Sequence, residues 1–251
     1  MAFHILYNIH SRNMQVYSSL CKMALVNLLL VLCFSYICRA VPDVEPGDPR
    51  AAVFIEGFSR ITRGPPGGYA AIDPLYINYF GGSFATLQYK NYNNTVTGLS
   101  NCAAYDFVLS ADGRVINFAL DCPGYTLYSA NEVTGYLLYK NMNGRGTLEI
   151  DYGRYIVRVY AVLNYVSDRY GNTYYRIGGF SLDIDVIGPI NFNFMHLFNN
   201  NRIRNEEINE LANNNWKRVA VFSREPVWYP IMNKILASLN NYLRTAPIQS
   251  L

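Results

Sequence analysis

Histidine, cysteine and blocks of like charge are scarce in this chain of 251 residues. Two of its three histidines precede residue 40, which leaves His196, flanked by Met195 and Leu197 and read as a structural residue. No GxSxG, HExxH or phosphate-binding loop occurs, and Gly144-Arg145-Gly146 lacks the third glycine of a dinucleotide fingerprint, so it reads as a turn. One histidine cannot build the histidine and cysteine sets that hold zinc. The carboxylates are scattered, and Glu206-Glu207 stands at a helix start, where acids suit the macrodipole. The chain is therefore expected to be no enzyme, with no catalytic residue, metal or cofactor.

Residues 23–37 are an apolar run preceded by Lys22 and followed by Cys38-Arg39-Ala40, the pattern of a secretory signal cut after Ala40. Residues 1–40 are read as a signal-peptide region, with Met14 or Met23 as alternative starts. The run is short for a membrane span and Arg39 stops it, so no stable membrane insertion is expected. Without Arg12, Lys22 and Arg39 the 21 basic residues become 18, against 18 acidic ones. A neutral mature chain without basic clusters has no electrostatic footprint for nucleic acid. Cys21, Cys33 and Cys38 leave with the signal. Cys102 and Cys122 remain, and a disulfide is the default for an even pair in a secreted protein. Asn93-Asn94-Thr95 is a glycosylation sequon, consistent with an extracellular location.

What is abundant is apolar periodicity. From Arg204 to Leu243 apolar residues recur at helical spacing, and Trp228, Ile231, Met232, Ile235, Leu236, Leu239, Tyr242 and Leu243 share one helix face. Forty helical residues would reach roughly 60 Å, longer than a domain of this size is wide. Pro226 and Pro230 each remove a helix hydrogen bond, so the spacing predicts segments near 205–222 and 227–244 with a kink or break between them. Residues 41–49 read as a flexible leader, 50–63 as a short helix with Val53, Phe54, Phe58 and Ile61 inward, and 64–74 as a loop.

Strands are expected over 84–96, 102–109, 115–122, 125–139 (broken at Gly135), 147–165, 174–187 and 190–194. A three-residue loop centred on Asp112 would pair residues whose numbers sum to 224, and so set Cys102 opposite Cys122. Alternation of Leu182, Ile184 and Val186 with Asp183 and Asp185 signals one wet and one buried face. The expected fold is α+β: a single elongated domain over 41–251, with a long kinked C-terminal helix wrapped by a strongly curved antiparallel β-sheet. A gap between sheet and helix would be lined by Phe107, Leu109, Phe118, Leu120, Val157, Val159, Leu182, Ile184, Phe192 and Phe194, with Trp228, Ile231, Ile235 and Leu239 from the helix. The same residues would equally serve as an ordinary core.

Several segments resemble a known family. Val96-Thr97-Gly98-Leu99-Ser100-Asn101 is similar to the VxGLSN strand entry of the insect juvenile-hormone-binding and takeout-like proteins. Gly135, Gly144 and Gly146 fall at its mid-chain glycines. Residues 170–175 resemble its DGKxYL turn, Leu197-Phe198-Asn199-Asn200-Asn201 its LFNGN segment, and Leu211 through Asn214-Asn215-Trp216 its LNxNW segment, with Pro226 near its helix proline. The matches are collinear over about 90–251. The resemblance implies a secreted carrier of the tubular lipid-binding superfamily, with an apolar tunnel for a terpenoid such as juvenile hormone or a fatty-acid-like lipid. The family's cysteine pair near the mature N-terminus is missing from residues 41–75. The alternative expectation is a secreted interaction or structural protein that keeps the fold without a ligand cavity.

Overall fold

The computed structural model describes residues 48–63, 72–199 and 201–248. The expected signal region, most of the leader and residues 64–71 of the loop lie outside the described residues. After a 3-10 turn at Pro49–Ala51, α1 runs Ala52–Arg63. Eleven strands follow: β1 Leu75–Phe84, β2 Leu87–Thr97, β3 Ala103–Leu109, β4 Val115–Cys122, β5 Tyr125–Thr134, β6 Tyr136–Leu137, β7 Lys140–Asn141, β8 Gly144–Tyr152, β9 Tyr155–Ser167, β10 Thr173–Val186 and β11 Ile190–Met195. Two helices, α2 Arg202–Asn214 and α3 Trp216–Leu243, end the described chain. All strand pairs are antiparallel.

The strands divide into a five-stranded sheet, β1-β2-β5-β8-β11, a four-stranded sheet, β10-β9-β4-β3, and the small β6-β7 ribbon. α3 packs against β1 and β11 of the first sheet and β10 of the second. Two features escaped the sequence reading. β1 was not anticipated, and the expected strand over 147–165 is two strands in different sheets. The chain crosses between the two large sheets four times, after β2, after β4, at Gly153-Arg154 and at Gly188-Pro189. The last two crossings are fastened side by side: Gly153 N–H donates to Pro189 O at 2.8 Å, and the N–H groups of Ile187 and Gly188 donate to Arg154 O.

The helix stripe is buried as expected, with Trp228, Ile231, Met232, Leu239 and Leu243 wholly enclosed. The helix break, however, falls at Asn215 rather than at the prolines. Asn215 leaves helical geometry (φ −118°, ψ 22°) and its side-chain Nδ2 donates to Leu211 O at 2.8 Å. Three consecutive asparagines favour a cap there because their amides compete for backbone groups. Pro226 and Pro230 lie inside α3 one turn apart, so the two missing bonds fall on one side of a helix held by its buried stripe.

α1 buries Phe54, Phe58 and Ile61, with Val53 half-buried. It is held without a cysteine bridge of its own. Gly57 lets it lie directly on α3, where a Cβ would stand 2.5 Å from the Tyr242 ring. Phe54 meets Tyr175 at 5.2 Å between ring centroids, and Phe58 meets Phe118 at 6.1 Å. The one disulfide among the described residues joins Cys102 to Cys122, with Cα atoms 4.2 Å apart. The pairing sum is 224 beside the cysteines, as expected (Ala103 with Asp121), but 225 at the turn (Leu109 with Ile116). The loop is one residue longer than expected, and a bulge between Tyr105 and Val108, with Asp106 at φ 53°, absorbs the extra residue.

The helices also close the sheet edges. In α2, Asn209 accepts from Phe194 N–H (2.7 Å) and donates to Phe194 O (3.1 Å), while Asn213 does the same to Phe192 (2.6 and 3.0 Å). In α3, Asn240 pairs with Ile177 in the same way (2.8 and 3.0 Å). β11 and β10 are edge strands, and each amide presents the donor and acceptor of a missing neighbouring strand.

Candidate functional site

A cavity of about 50 Å³ lies between the five-stranded sheet and the first half of α3. β1 contributes Phe80, β2 Leu87, Tyr89 and Asn91, β5 Asn131 and Val133, β8 Leu148, Ile150 and Tyr152, and β11 Phe192 and Phe194. Ala212 of α2 and Val219, Phe222, Ser223 and Val227 of α3 face them, with Leu137 and Met142 closing one side. Every lining residue is buried except Tyr89 and Phe222, which are half-buried. Phe222 stacks on Phe84 with centroids 4.1 Å apart.

The wall is mainly apolar; its polar spot is the Asn91–Asn131 pair on the sheet, with hydroxyls at Tyr89, Tyr152 and, on α3, Ser223. Asn91 and Asn131 stand directly opposite on β2 and β5, and Asn131 Nδ2 donates to Asn91 Oδ1. Asn131 Oδ1 and the hydroxyls of Tyr89 and Tyr152 are buried without a hydrogen-bond partner. Burial pushes the Tyr89 hydroxyl up to about 12 and raises that of Tyr152 well above the ordinary tyrosine value. Both are neutral donors at physiological pH. Tyr152 also stacks on Tyr125 at 4.4 Å, and Trp228 packs edge-on to Tyr125, which joins the cavity to the core where the sheets meet.

These tyrosines have a measurable consequence. The folded protein holds the Tyr89 proton more tightly than the unfolded chain, whose tyrosines titrate near ~10. The resulting stabilisation, about 2 kcal/mol for Tyr89, is complete below pH ~10 and is lost as pH rises towards about 12. Thermal unfolding should therefore show a falling Tm above pH ~10, and Tyr89→Phe should flatten that fall. An unchanged slope in the variant would contradict the assignment.

Of the fourteen residues expected along the gap, Phe192 and Phe194 line this cavity. Phe107, Leu109, Phe118, Leu120, Val157, Val159, Leu182 and Ile184 belong to the four-stranded sheet, all buried except the half-buried Phe107 and Leu182. Trp228, near the middle of α3, and Ile231, Ile235 and Leu239 of its second half are buried in the core. The polar spot was missed, yet its signal was present: Tyr125, Leu127, Ser129, Asn131 and Val133 alternate, and all five are buried. His196 is exposed in the turn after β11 and does not line the cavity. Asn93 is exposed in a bulge of β2 with φ 52°. No cluster of metal-ligating side chains occurs among the described residues, and no described helix is long and apolar enough to cross a membrane.

The family model for haemolymph juvenile hormone binding proteins (JHBP) matches residues 57–251. The chain belongs to the JHBP family. This is a binding family rather than an enzymatic one, and membership places the chain among carriers of hydrophobic ligands. The crystal structure of Epiphyas postvittana Takeout 1 superposes with a TM-score of 0.71 at 19% identity, over 79% of this chain and 92% of that one, which shows a takeout-like fold. A lipopolysaccharide binding protein superposes with a TM-score of 0.39 at 14% identity, over 78% of this chain and 38% of that one. Comparison with curated protein sequences finds no match. In this chain the mid-chain glycine Gly135 has a physical role: its φ is 103°, and a Cβ there would stand 1.9 Å from Thr86 O.

Proposed function

We propose that this chain is a secreted carrier that holds a small hydrophobic ligand, a terpenoid or a fatty-acid-like lipid, in the cavity between the five-stranded sheet and α3. The observation that carries this reading is an apolar, nearly enclosed cavity in a member of a ligand-carrying family. Secretion is supported by the signal-like residues 23–40 and by the disulfide. The cavity is well below the ~300 Å³ of a typical ligand pocket, so binding includes an opening step. The magnitudes allow it. Parting the Phe84–Phe222 stack costs about 1 kcal/mol, whereas each buried methylene contributes about 0.8 kcal/mol, so a few methylenes suffice.

The small volume also favours a second reading, a secreted interaction protein whose cavity stays empty. Its surface would be the tyrosines exposed on β1, β2 and β5: Tyr76, Tyr79, Tyr92 and Tyr128. Organic extraction of the natively secreted protein followed by mass spectrometry separates the two. A recurring stoichiometric lipid, absent from an Ala212→Val variant that narrows the cavity and keeps its Tm, is the expected result. Protein that yields no lipid and gains nothing when offered alkanes and alcohols would overturn the carrier reading. We also propose that Asn93 carries a glycan, which intact mass before and after glycosidase treatment of the same material tests.

A further inference from the structure

We infer that the glycan at Asn93 folds back onto the sheet and covers the tyrosines around it, Tyr76, Tyr79, Tyr92 and Tyr128. The inference rests on the glycan reading and goes beyond it. All four rings lie on the face of the five-stranded sheet opposite the cavity, from 36% exposed (Tyr92) to 64% (Tyr76). Strand register fixes where they stand. Tyr79 pairs with Tyr92, and Tyr92 with Ala130; Tyr76 pairs with Thr95, and Thr95 with Tyr128. Asn93 sits between these two rows. Strict alternation from the buried Asn91 would have put Asn93 inside. The bulge of β2 instead leaves Tyr92 and Asn93 exposed in succession and buries Asn94, whose Nδ2 donates to Ile77 O at 2.9 Å. The sequon therefore opens outward at the centre of the tyrosine face.

The surface suits a neutral sugar. Across β1, β2 and β5 the two rows hold the four rings, Thr95 and Ala130, and no charge. Charges begin at the margin, with Lys90 opposite Glu132 and with Glu149 beyond Tyr128 on β8. A pyranose sets a face of C–H groups against the electron-rich face of an aromatic ring, and its hydroxyls reach amide and hydroxyl neighbours such as Asn78 and Thr95. Tyr79 and Tyr92 already stand as a tilted pair with centroids 5.4 Å apart. Such contacts are too weak to hold a free sugar. Tethering at Asn93 raises the local sugar concentration to about the millimolar range, where weak stacking is populated without a tight site. A charged protein partner would find no complementary charge within the two rows. Four exposed rings on neighbouring strands mark an occupied surface, and the chain's own glycan is the occupant attached at its centre.

The test uses the full chain secreted by a host that attaches N-glycans, with tyrosine nitration read residue by residue by peptide mass spectrometry. Tyr139 and Tyr170, exposed in the β6–β7 and β9–β10 connections, are the internal references. Relative to them, the four tyrosines should react about fivefold more slowly in the glycosylated protein than after enzymatic removal of the glycan, since a covered ring reacts only through its uncovered fraction. Asn93→Gln and Thr95→Val, which abolish the sequon in different ways, should both show the fast rate. Glycosylated protein whose four tyrosines react as fast as after deglycosylation overturns this inference alone. Tyrosines that stay slow without the glycan overturn it too, and a rate that falls with rising protein concentration would assign the face to a second copy of the chain. Secreted protein whose intact mass shows no glycan overturns the glycan reading and this inference together.

Discussion

Replacing Asn209 and Asn213 together with leucine should lower the stability by roughly 4 kcal/mol, the largest effect expected from any polar pair here. Each amide satisfies one N–H and one C=O of β11, at Phe194 and Phe192 respectively. Leucine is somewhat bulkier and a better helix former, so a loss of stability reports the missing pairing rather than a weaker helix. Four partly buried backbone groups are then orphaned at about 1 kcal/mol each. The damage should also reach the cavity, because Phe192 and Phe194 line it and the same bonds set where α2 stands. Urea unfolding is the measurement, with Asn240→Leu as a comparison expected to cost about 2 kcal/mol at β10. A double variant within about 1 kcal/mol of the parent would show that solvent replaces the amides without cost.

Removing the disulfide is the second large effect. Cys102→Ser with Cys122→Ser should cost roughly 2–4 kcal/mol, because the bridge closes a loop of modest length, with 20 positions between its ends. The double variant is preferable to a single one, since it leaves no thiol to mispair. A denaturant midpoint that does not move would mean that the β3–β4 register is held by the bulge at Asp106 and the packing of Phe107 on Phe118 alone. Thiol titration of the secreted protein checks the starting state, and free thiols there would contradict the bridge.

The disulfide shows how sequence arithmetic and structure can agree for only part of the right reason. The cysteines do face each other, but through a longer loop and a compensating bulge rather than one uninterrupted register. The helix break shows the opposite. Proline is the strongest local breaker, yet α3 runs through both prolines because its stripe, Trp228 to Leu243, is buried along its length. Asn215, a weaker signal, ends the preceding helix by leaving helical geometry and turning its own amide back to Leu211 O.

The site was less legible than the fold. Aliphatic alternation in β4, β9 and β10 drew attention to the four-stranded sheet, whose inner-face side chains are mostly buried. The cavity lies under the other sheet, where β2 and β5 interleave asparagine and tyrosine with aliphatics and so read as wet. Period-two alternation puts Asn131 on the same face as Val133 and Leu127. What remained open was whether that face met solvent or a helix.

The sequence by itself determined most of the elements, the α+β class, the buried stripe of the terminal helix, the pairing of the two cysteines and the poverty in catalytic groups, because these follow from periodicity, turn chemistry and composition read over short distances. Only the tertiary structure decided that the strands divide into two sheets, with one of the crossings at Gly153-Arg154, that helix asparagines stand in for missing strands, and that a cavity lies under β2, β5 and β8. Each of these depends on which surfaces meet across long chain separations, and packing complementarity between such surfaces leaves no periodic trace in either segment alone.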